Sequence, residues 1–213
     1  MLFWILYFLA FLPVKIFYPY KIYGRKNIEK KQNYIIACNH LSYFDPMLLD
    51  YVFKSRNRYL AKKELFKKKS AKFWLGKIFG GIAIDREKGL TPSQIKEVNN
   101  ALLKGQNMGI FVDGTRKEFS ENDGIKGGAC YFAIKTKTPL IPCFICSKQK
   151  FLRKNKILVG EPFELSVFYD NKIDKETLFL AENVLKEKIA FLKEEYEKRE
   201  KEKLIVRRIK KQK

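Results

Sequence analysis

Residues 34–46 read Tyr-Ile-Ile-Ala-Cys-Asn-His-Leu-Ser-Tyr-Phe-Asp-Pro. The first five form an apolar run of strand length, and the closing Asp45-Pro46 pair predicts a helix through residue 52, with Asp45 as N-cap and Pro46 at the first helical position. A buried strand that passes through a polar loop into a helix is a βα unit, and the same alternation continues outward. Residues 81–85, 108–112, 140–146 and 157–159 read as further core strands. Between the first two of these, Thr91-Pro-Ser-Gln94 is a capping box, and Ile95, Val98 and Leu102 share one helical face before Gly105 ends the helix. Residues 127–135 predict another helix. From 174 to about 203 a long charged helix carries Leu178, Val184, Leu185, Ile189 and Leu192. The pattern predicts the α/β class: a single domain with a mixed, largely parallel sheet flanked by helices, plus an apolar N-terminal membrane-anchoring segment.

A chain of 213 residues suits one such domain and leaves no room for a second independent one. With 46% hydrophobic and 31% charged residues it is not a disordered chain, and 12 Gly with 7 Pro exclude collagen-like and low-complexity classes. The formal net charge of +21 exceeds what solubility needs and implies an anionic partner: nucleic acid, the face of an anionic bilayer, or an acidic protein or phosphorylated metabolite. Ten basic residues against the single acid Glu64 fall in 54–77, and nine against two in the tail from Lys198.

The N-terminus opens with an unbroken apolar run at 2–14, followed by Lys15, and Trp4, Tyr7, Tyr18, Tyr20 and Tyr23 are rings that settle at headgroup depth. The run is shorter than the ~20 residues a spanning helix needs, which favours an interfacial or re-entrant anchor over a single span or a buried core helix. No basic residue precedes it and no small-x-small site follows, which disfavours a signal peptide. The expected division is 1–23 as anchoring segment, 24–170 as the α/β domain and 171–213 as charged helix and basic tail, on the cytoplasmic face of the cell membrane with a monotopic or single-pass anchor. Each Lys or Arg near an anionic leaflet adds about 1 kcal/mol, so anchor and charge reinforce each other. Cys143 and Cys146 form a C-x-x-C, but residues three apart on a strand face opposite ways, and the chain has four Cys and one His. No metal site is expected, and the thiols read as buried and reduced.

The lone histidine, His40, follows a strand at its carboxyl end, where ligands of open α/β sheets bind. On a continuous helix Asp45 would lie about 140° around from it, so the two meet only if the segment turns. Pro46 pushes the residue before it out of the helical region and favours that turn. A carboxylate on one ring nitrogen fixes the tautomer and leaves the other as a base at neutral pH. Ser42 is poorly placed as nucleophile two residues from its base, and no G-x-S-x-G elbow exists, so the attacking hydroxyl is better supplied by a substrate.

The strand at 108–112 ends in Asp113-Gly-Thr-Arg-Lys117, whose backbone N–H groups, Thr115 and Arg116 suit a phosphate. Arg86 repeats the strand-end arrangement, and Lys126-Gly-Gly128 opens a helix whose N-terminus also favours an anion. Asn39-His40-x-Ser42-x-x-Asp45, Gly81-Ile-Ala-Ile-Asp85-Arg86, Phe111-Val-Asp113-Gly114-Thr115-Arg116 and Pro139-Leu-Ile-Pro142 resemble, in order and approximate spacing, the four blocks of the glycerolipid acyltransferases, within which the chain looks like the bacterial 1-acylglycerol-3-phosphate acyltransferases. The resemblance covers roughly residues 30–165. It implies that His40 deprotonates the free hydroxyl of lysophosphatidate for attack on an acyl thioester, with Asp45 as orienter. It also implies that Arg86, Arg116, Gly114 and Thr115 hold the acceptor phosphate and that the block containing Pro142 shapes the acyl site. The donor is expected to be an acyl carrier protein or coenzyme A thioester, with no metal or organic cofactor, since a thioester is already activated. Two departures from the pattern stand out: Val112-Asp113 stand for Pro-Glu, and Leu41 for a polar residue. A carboxylate beside a bound phosphate would repel it, so Asp113 is expected to face away and fix the loop by bonding backbone N–H groups or an arginine.

Rival readings use less of the chain. A nucleic-acid binder would explain the charge but has no helix-turn-helix, RNP or zinc pattern, and no nucleic acid is expected as partner. A non-catalytic membrane-surface adaptor leaves the histidine block and the strand-end arginines unused. Another lysolipid or glycerol-3-phosphate as acceptor stays open.

Overall fold

The computed structural model describes residues 9, 12, 16–67, 80–85, 89–114, 116, 118–120 and 124–211, without the side chains of 206–211. Seven strands, β1 (Tyr20–Tyr23), β2 (Ile35–Cys38), β3 (Arg58–Lys62), β4 (Gly81–Ile84), β5 (Met108–Phe111), β6 (Leu140–Ile145) and β7 (Asn155–Val159), form one sheet in the order β1-β7-β6-β2-β5-β3-β4. The pairings are parallel except β6 with β7. Among the described residues the helices bounded at both ends are α1 (Asp45–Phe53), α2 (Pro92–Leu103), α3 (Gly128–Thr136) and α4 (Lys175–Lys211).

Strand β2 lies between β5 and β6 and is buried on both faces. Ile35 and Ala37 point to the side that packs against α2, α3 and α4, where Val98, Phe132, Leu185 and Ile189 gather. Ile36 and Cys38 point to the other side, against Leu48, Leu49 and Val52 of α1. This period of two is what an apolar run buried on both faces produces. Cys143 and Cys146 likewise divide between the two cores. Burial pushes the thiols of Cys130 and Cys146 up to about 12. Among the described residues no group of three or more His, Cys, Asp or Glu side chains could hold a metal.

The structure revises three expectations. Phe44, not Asp45, is the N-cap of α1; Asp45 is the first helical residue, with Pro46 next, because its carboxylate is turned back on the preceding loop instead of capping the helix. Residues 20–23, assigned above to the anchoring segment, are the edge strand β1, paired in parallel with β7. Helix α4, set apart above as a separate C-terminal unit, buries Ala181, Leu185, Ile189 and Leu192 in the main core and so belongs to the same domain. Within the basic stretch 54–77, β3 forms from Arg-Tyr-Leu-Ala-Lys, held by β4 and β5 on its two sides. Residues 68–77 lie outside the described residues, as does most of the apolar run at 2–14. Among the described residues no helix is long and apolar enough to cross a membrane.

Candidate active site

His40 leaves the carboxyl end of the central strand, and each neighbouring strand holds its loop. On the β6 side, the Asn39 amide donates to the Ile145 carbonyl at 3.0 Å and accepts the Ile145 N–H at 2.7 Å, adding one side-chain rung to the β2–β6 ladder. On the β5 side, Asp113 Oδ2 accepts the His40 backbone N–H at 3.3 Å. The loop then folds back so that Asp45 Oδ2 meets His40 Nδ1 at 2.7 Å and the N–H groups of Leu41 and Ser42 at 2.7 Å each. Gln149, on the β6–β7 loop, donates its side-chain N–H to Asp45 Oδ1.

Asp45 is fully buried and His40 is 8% exposed. An oxygen that already accepts two amide N–H groups acts as an acceptor, so the imidazole donates from Nδ1, and in the neutral ring this leaves the lone pair on Nε2. The ring stacks on Phe111, with centroids 4.0 Å apart and planes 17° off parallel, and Tyr59 stacks behind Phe111 at 6.2 Å. The Tyr59 ring lies across Gly109, where a Cβ would come within 2.3 Å of it, so the stack needs glycine there. Tyr20 of β1 is pushed well up, first by burial and second by the charge of Asp45, and stays a neutral neighbour.

Two cavities adjoin the pair. One, of about 510 Å³, is lined by Asn39, Leu41, Arg116, Phe144, Lys148 and Lys193 among others. The second, of about 300 Å³, is lined by Leu60, Ile84, Leu90, Phe111, Gly114 and Lys126 among others. The residues either side of His40 thus line the first, and the ring beneath it lines the second.

Of the anticipated binding residues, Arg116 lines the first cavity and Gly114 and Lys126 the second. Arg116 is exposed, its guanidinium 3.6 Å above the Tyr43 ring and bonded to the Tyr43 hydroxyl at 2.8 Å. Gly114 has a left-handed φ of 61°, and the stem of Lys126 lies where a Cβ would be, within 2.5 Å. The Lys126 amide bonds the Val112 carbonyl at 2.9 Å, which returns the chain to the strand end. Arg86 and Thr115 lie outside the described residues. Pro142 sits inside β6 opposite Ala37, accepts the Gly160 N–H at 2.8 Å on its carbonyl, and lines a third cavity against α4 with Leu192 and Arg199. At the start of α3, a Cβ on Gly127 would come within 2.1 Å of a Glu182 carboxylate oxygen, so the chain itself supplies an anion there.

Gln149, Tyr43 and the ring of Phe111 complete the site without having been singled out in the sequence. Gln149 is 104 residues from its partner and has no local signal. Tyr43 stands inside the quoted loop and Phe111 inside the third block, so proximity to His40 and Arg116 was the available clue.

The sequence model of the Acyltransferase family matches residues 19–146. Among curated relatives, the 1-acyl-sn-glycerol-3-phosphate acyltransferase of Bacillus subtilis is 34% identical over 157 residues, covering 70% of this chain and 75% of that protein. The protein of the same name from Borreliella burgdorferi is 30% identical over 136 residues, 63% of this chain and 54% of its own length. Among solved structures, the 1-acyl-sn-glycerophosphate acyltransferase PlsC of Thermotoga maritima superimposes with a TM-score of 0.58, covering 88% of this chain and 94% of that one at 20% identity, a likeness of fold.

Proposed function

This chain belongs to the acyltransferase family, and we propose that it moves a fatty acyl group from an acyl thioester to the free hydroxyl of 1-acylglycerol-3-phosphate, giving phosphatidate. The observation that carries the reading is the His40–Asp45 pair, a base oriented from Nδ1 and closed in by Phe111 at the end of the central strand.

In this reading Nε2 of His40 takes the proton of the acceptor hydroxyl as its oxygen attacks the thioester carbonyl. The tetrahedral intermediate collapses, the C–S bond breaks, and the imidazolium returns the proton to the departing thiolate. Asp45 stabilises the imidazolium while it exists, and Gln149, Leu41 and Ser42 keep the carboxylate from turning. Arg116, with the Gly114 loop, Thr115, Lys126 and Arg86, holds the acceptor's phosphate. Asp113 acts on the loop through the His40 amide and not on the phosphate. Acyl carrier protein or coenzyme A carries the donor, and no metal or organic cofactor enters a reaction whose acyl group arrives activated. The apolar run before residue 20 and the net charge of +21 support work at the cytoplasmic face of an anionic membrane.

The test is a donor-by-acceptor matrix with purified protein in mixed micelles, read by product mass. Phosphatidate from lysophosphatidate and a thioester is the expected product. Equal rates with lysolipids that lack a terminal phosphate would overturn the assignment of the acceptor.

A further inference from the structure

The β6–β7 loop carries an exposed apolar tip ringed by cations. Phe151 and Leu152 are 57% and 62% exposed, and Lys148, Lys150, Arg153 and Lys154 around them are exposed too, with no acid from 147 to 154. The tip is held from below. Buried Asn155 accepts the Lys150 N–H at 2.7 Å and donates to the carbonyls of Lys150 and Arg153 at 3.2 and 3.0 Å, closing the loop at its base. Leu152 itself has φ of 54°, a left-handed conformation that a leucine adopts only against a steric cost.

The tip is also joined to the end of the N-terminal segment. Phe151 stacks on Phe17 at 5.3 Å and meets Tyr18 edge-on at 5.9 Å, and the Leu152 N–H bonds the Phe17 carbonyl at 2.6 Å. Tyr18 in turn stacks on Phe44 of the histidine loop at 5.6 Å. Phe17, Phe44, Phe151 and Leu152 therefore extend one exposed apolar patch from the chain's apolar start to the rim of the candidate active site.

We propose that this loop is a second membrane-contact element, which seats Phe151 and Leu152 in an anionic lipid surface while its four cations engage the headgroups. The proposal rests on the reading that the acceptor is an amphiphile taken from a bilayer. Charge selects this occupant: each cation held near an anionic leaflet strengthens binding about fivefold. Two exposed apolar side chains are too few to supply the ~800 Å² per partner of an ordinary protein interface. The loop that meets lipid also carries Gln149, so the headgroup layer would lie beside the carboxylate that orients His40.

The full chain is tested by co-sedimentation with vesicles of phosphatidylcholine, alone and mixed with phosphatidylglycerol. The double substitution Phe151→Ser/Leu152→Ser should lower partitioning onto the anionic vesicles about tenfold or more, while kcat/KM on a soluble short-chain lysophosphatidate stays within about twofold. Partitioning equal to that of the unsubstituted chain overturns the proposal. Phe151→Trp should gain fluorescence quenching by brominated-chain phosphatidylcholine beyond that of Trp4 and Trp74 in the unsubstituted chain; no added quenching overturns it. So does a fall in solution mass from dimer to monomer in the serine variant, which would make the tip a contact between copies. An unsubstituted chain inactive on every acceptor would defeat the reaction proposed above and leave the vesicle result standing.

Discussion

Helix α1 buries two carboxylates five residues apart, Asp45 at its first position and Asp50 further along. Asp50 Oδ1 accepts the Asn57 N–H at 3.1 Å, the Asn57 side-chain amide at 2.7 Å and the Tyr59 hydroxyl at 2.6 Å. Those donors fix the turn that leads from α1 into β3. Asp45 also satisfies backbone N–H groups, but one of its donors is an imidazole whose far nitrogen can take a proton. Burial is the same in both. What separates a structural carboxylate from a chemical one is a partner able to change its protonation beside a cavity.

That contrast can be broken experimentally. The largest effect belongs to His40→Ala, which should lower kcat about 10²- to 10⁴-fold with the thermal midpoint nearly unchanged; wild-type turnover in that variant would end the general-base reading. Asp50→Ala should act on the fold, losing about 3 kcal/mol as three donors lose their acceptor, a fall in Tm of about 6–12 °C by calorimetry, with kcat per folded molecule little changed. Asp45→Asn should do the reverse, cutting kcat about ten- to hundredfold with a small change in Tm. If both aspartate variants lost turnover in proportion to stability, the contrast would fail. Arg116→Lys should raise KM for lysophosphatidate about tenfold and nearly match Arg116→Ala, because an ammonium reproduces neither the fork nor the stack on Tyr43. Gln149→Leu sharpens the comparison at the small end. Steady-state kinetics should show kcat down about fivefold with KM for lysophosphatidate unchanged, since the Gln149 side chain bonds the carboxylate that orients the base.

Local features were legible in the sequence because their partners are close along the chain. The Thr91 cap is one: its hydroxyl accepts the Gln94 N–H, and the Gln94 side chain accepts the Thr91 N–H at 2.8 Å, all within four residues. The pairing of His40 with Asp45 was expected from a turn in which Pro46 keeps Asp45 out of the helix; Asp45 is instead the first helical residue, and the turn is held by its carboxylate on the Leu41 and Ser42 N–H groups. Strand β3 was not legible, since only Tyr59 of its five residues is fully buried and its basic ends resemble a solvated run; two long-range neighbours make it a strand. Tyr20 to Tyr23 look interfacial by composition, yet pairing with β7 claims them for the sheet. The surroundings of Pro142 were not legible for a different reason: a motif reports order along the chain, while the position along β6 is set by register with β2.

The arrangement of the sheet also sets an order of assembly during synthesis. The central strand that leads into His40 needs β5 and β6, and the Asn39–Ile145 rung that locks the loop joins residues 106 apart. At about 5–20 residues per second, a ribosome leaves that rung open for roughly 5–20 s after Asn39 emerges. Strand β1 waits longer still, since its partner among the described strands is β7, whose paired residues are 155–158. Strand β1 is therefore made well before its partner and is among the last of the described strands to be tethered. Contacts this distant make folding slow, and chains stalled before residue 140 should remain protease-sensitive around the histidine loop, with protection appearing only once residues 140–159 have cleared the exit tunnel.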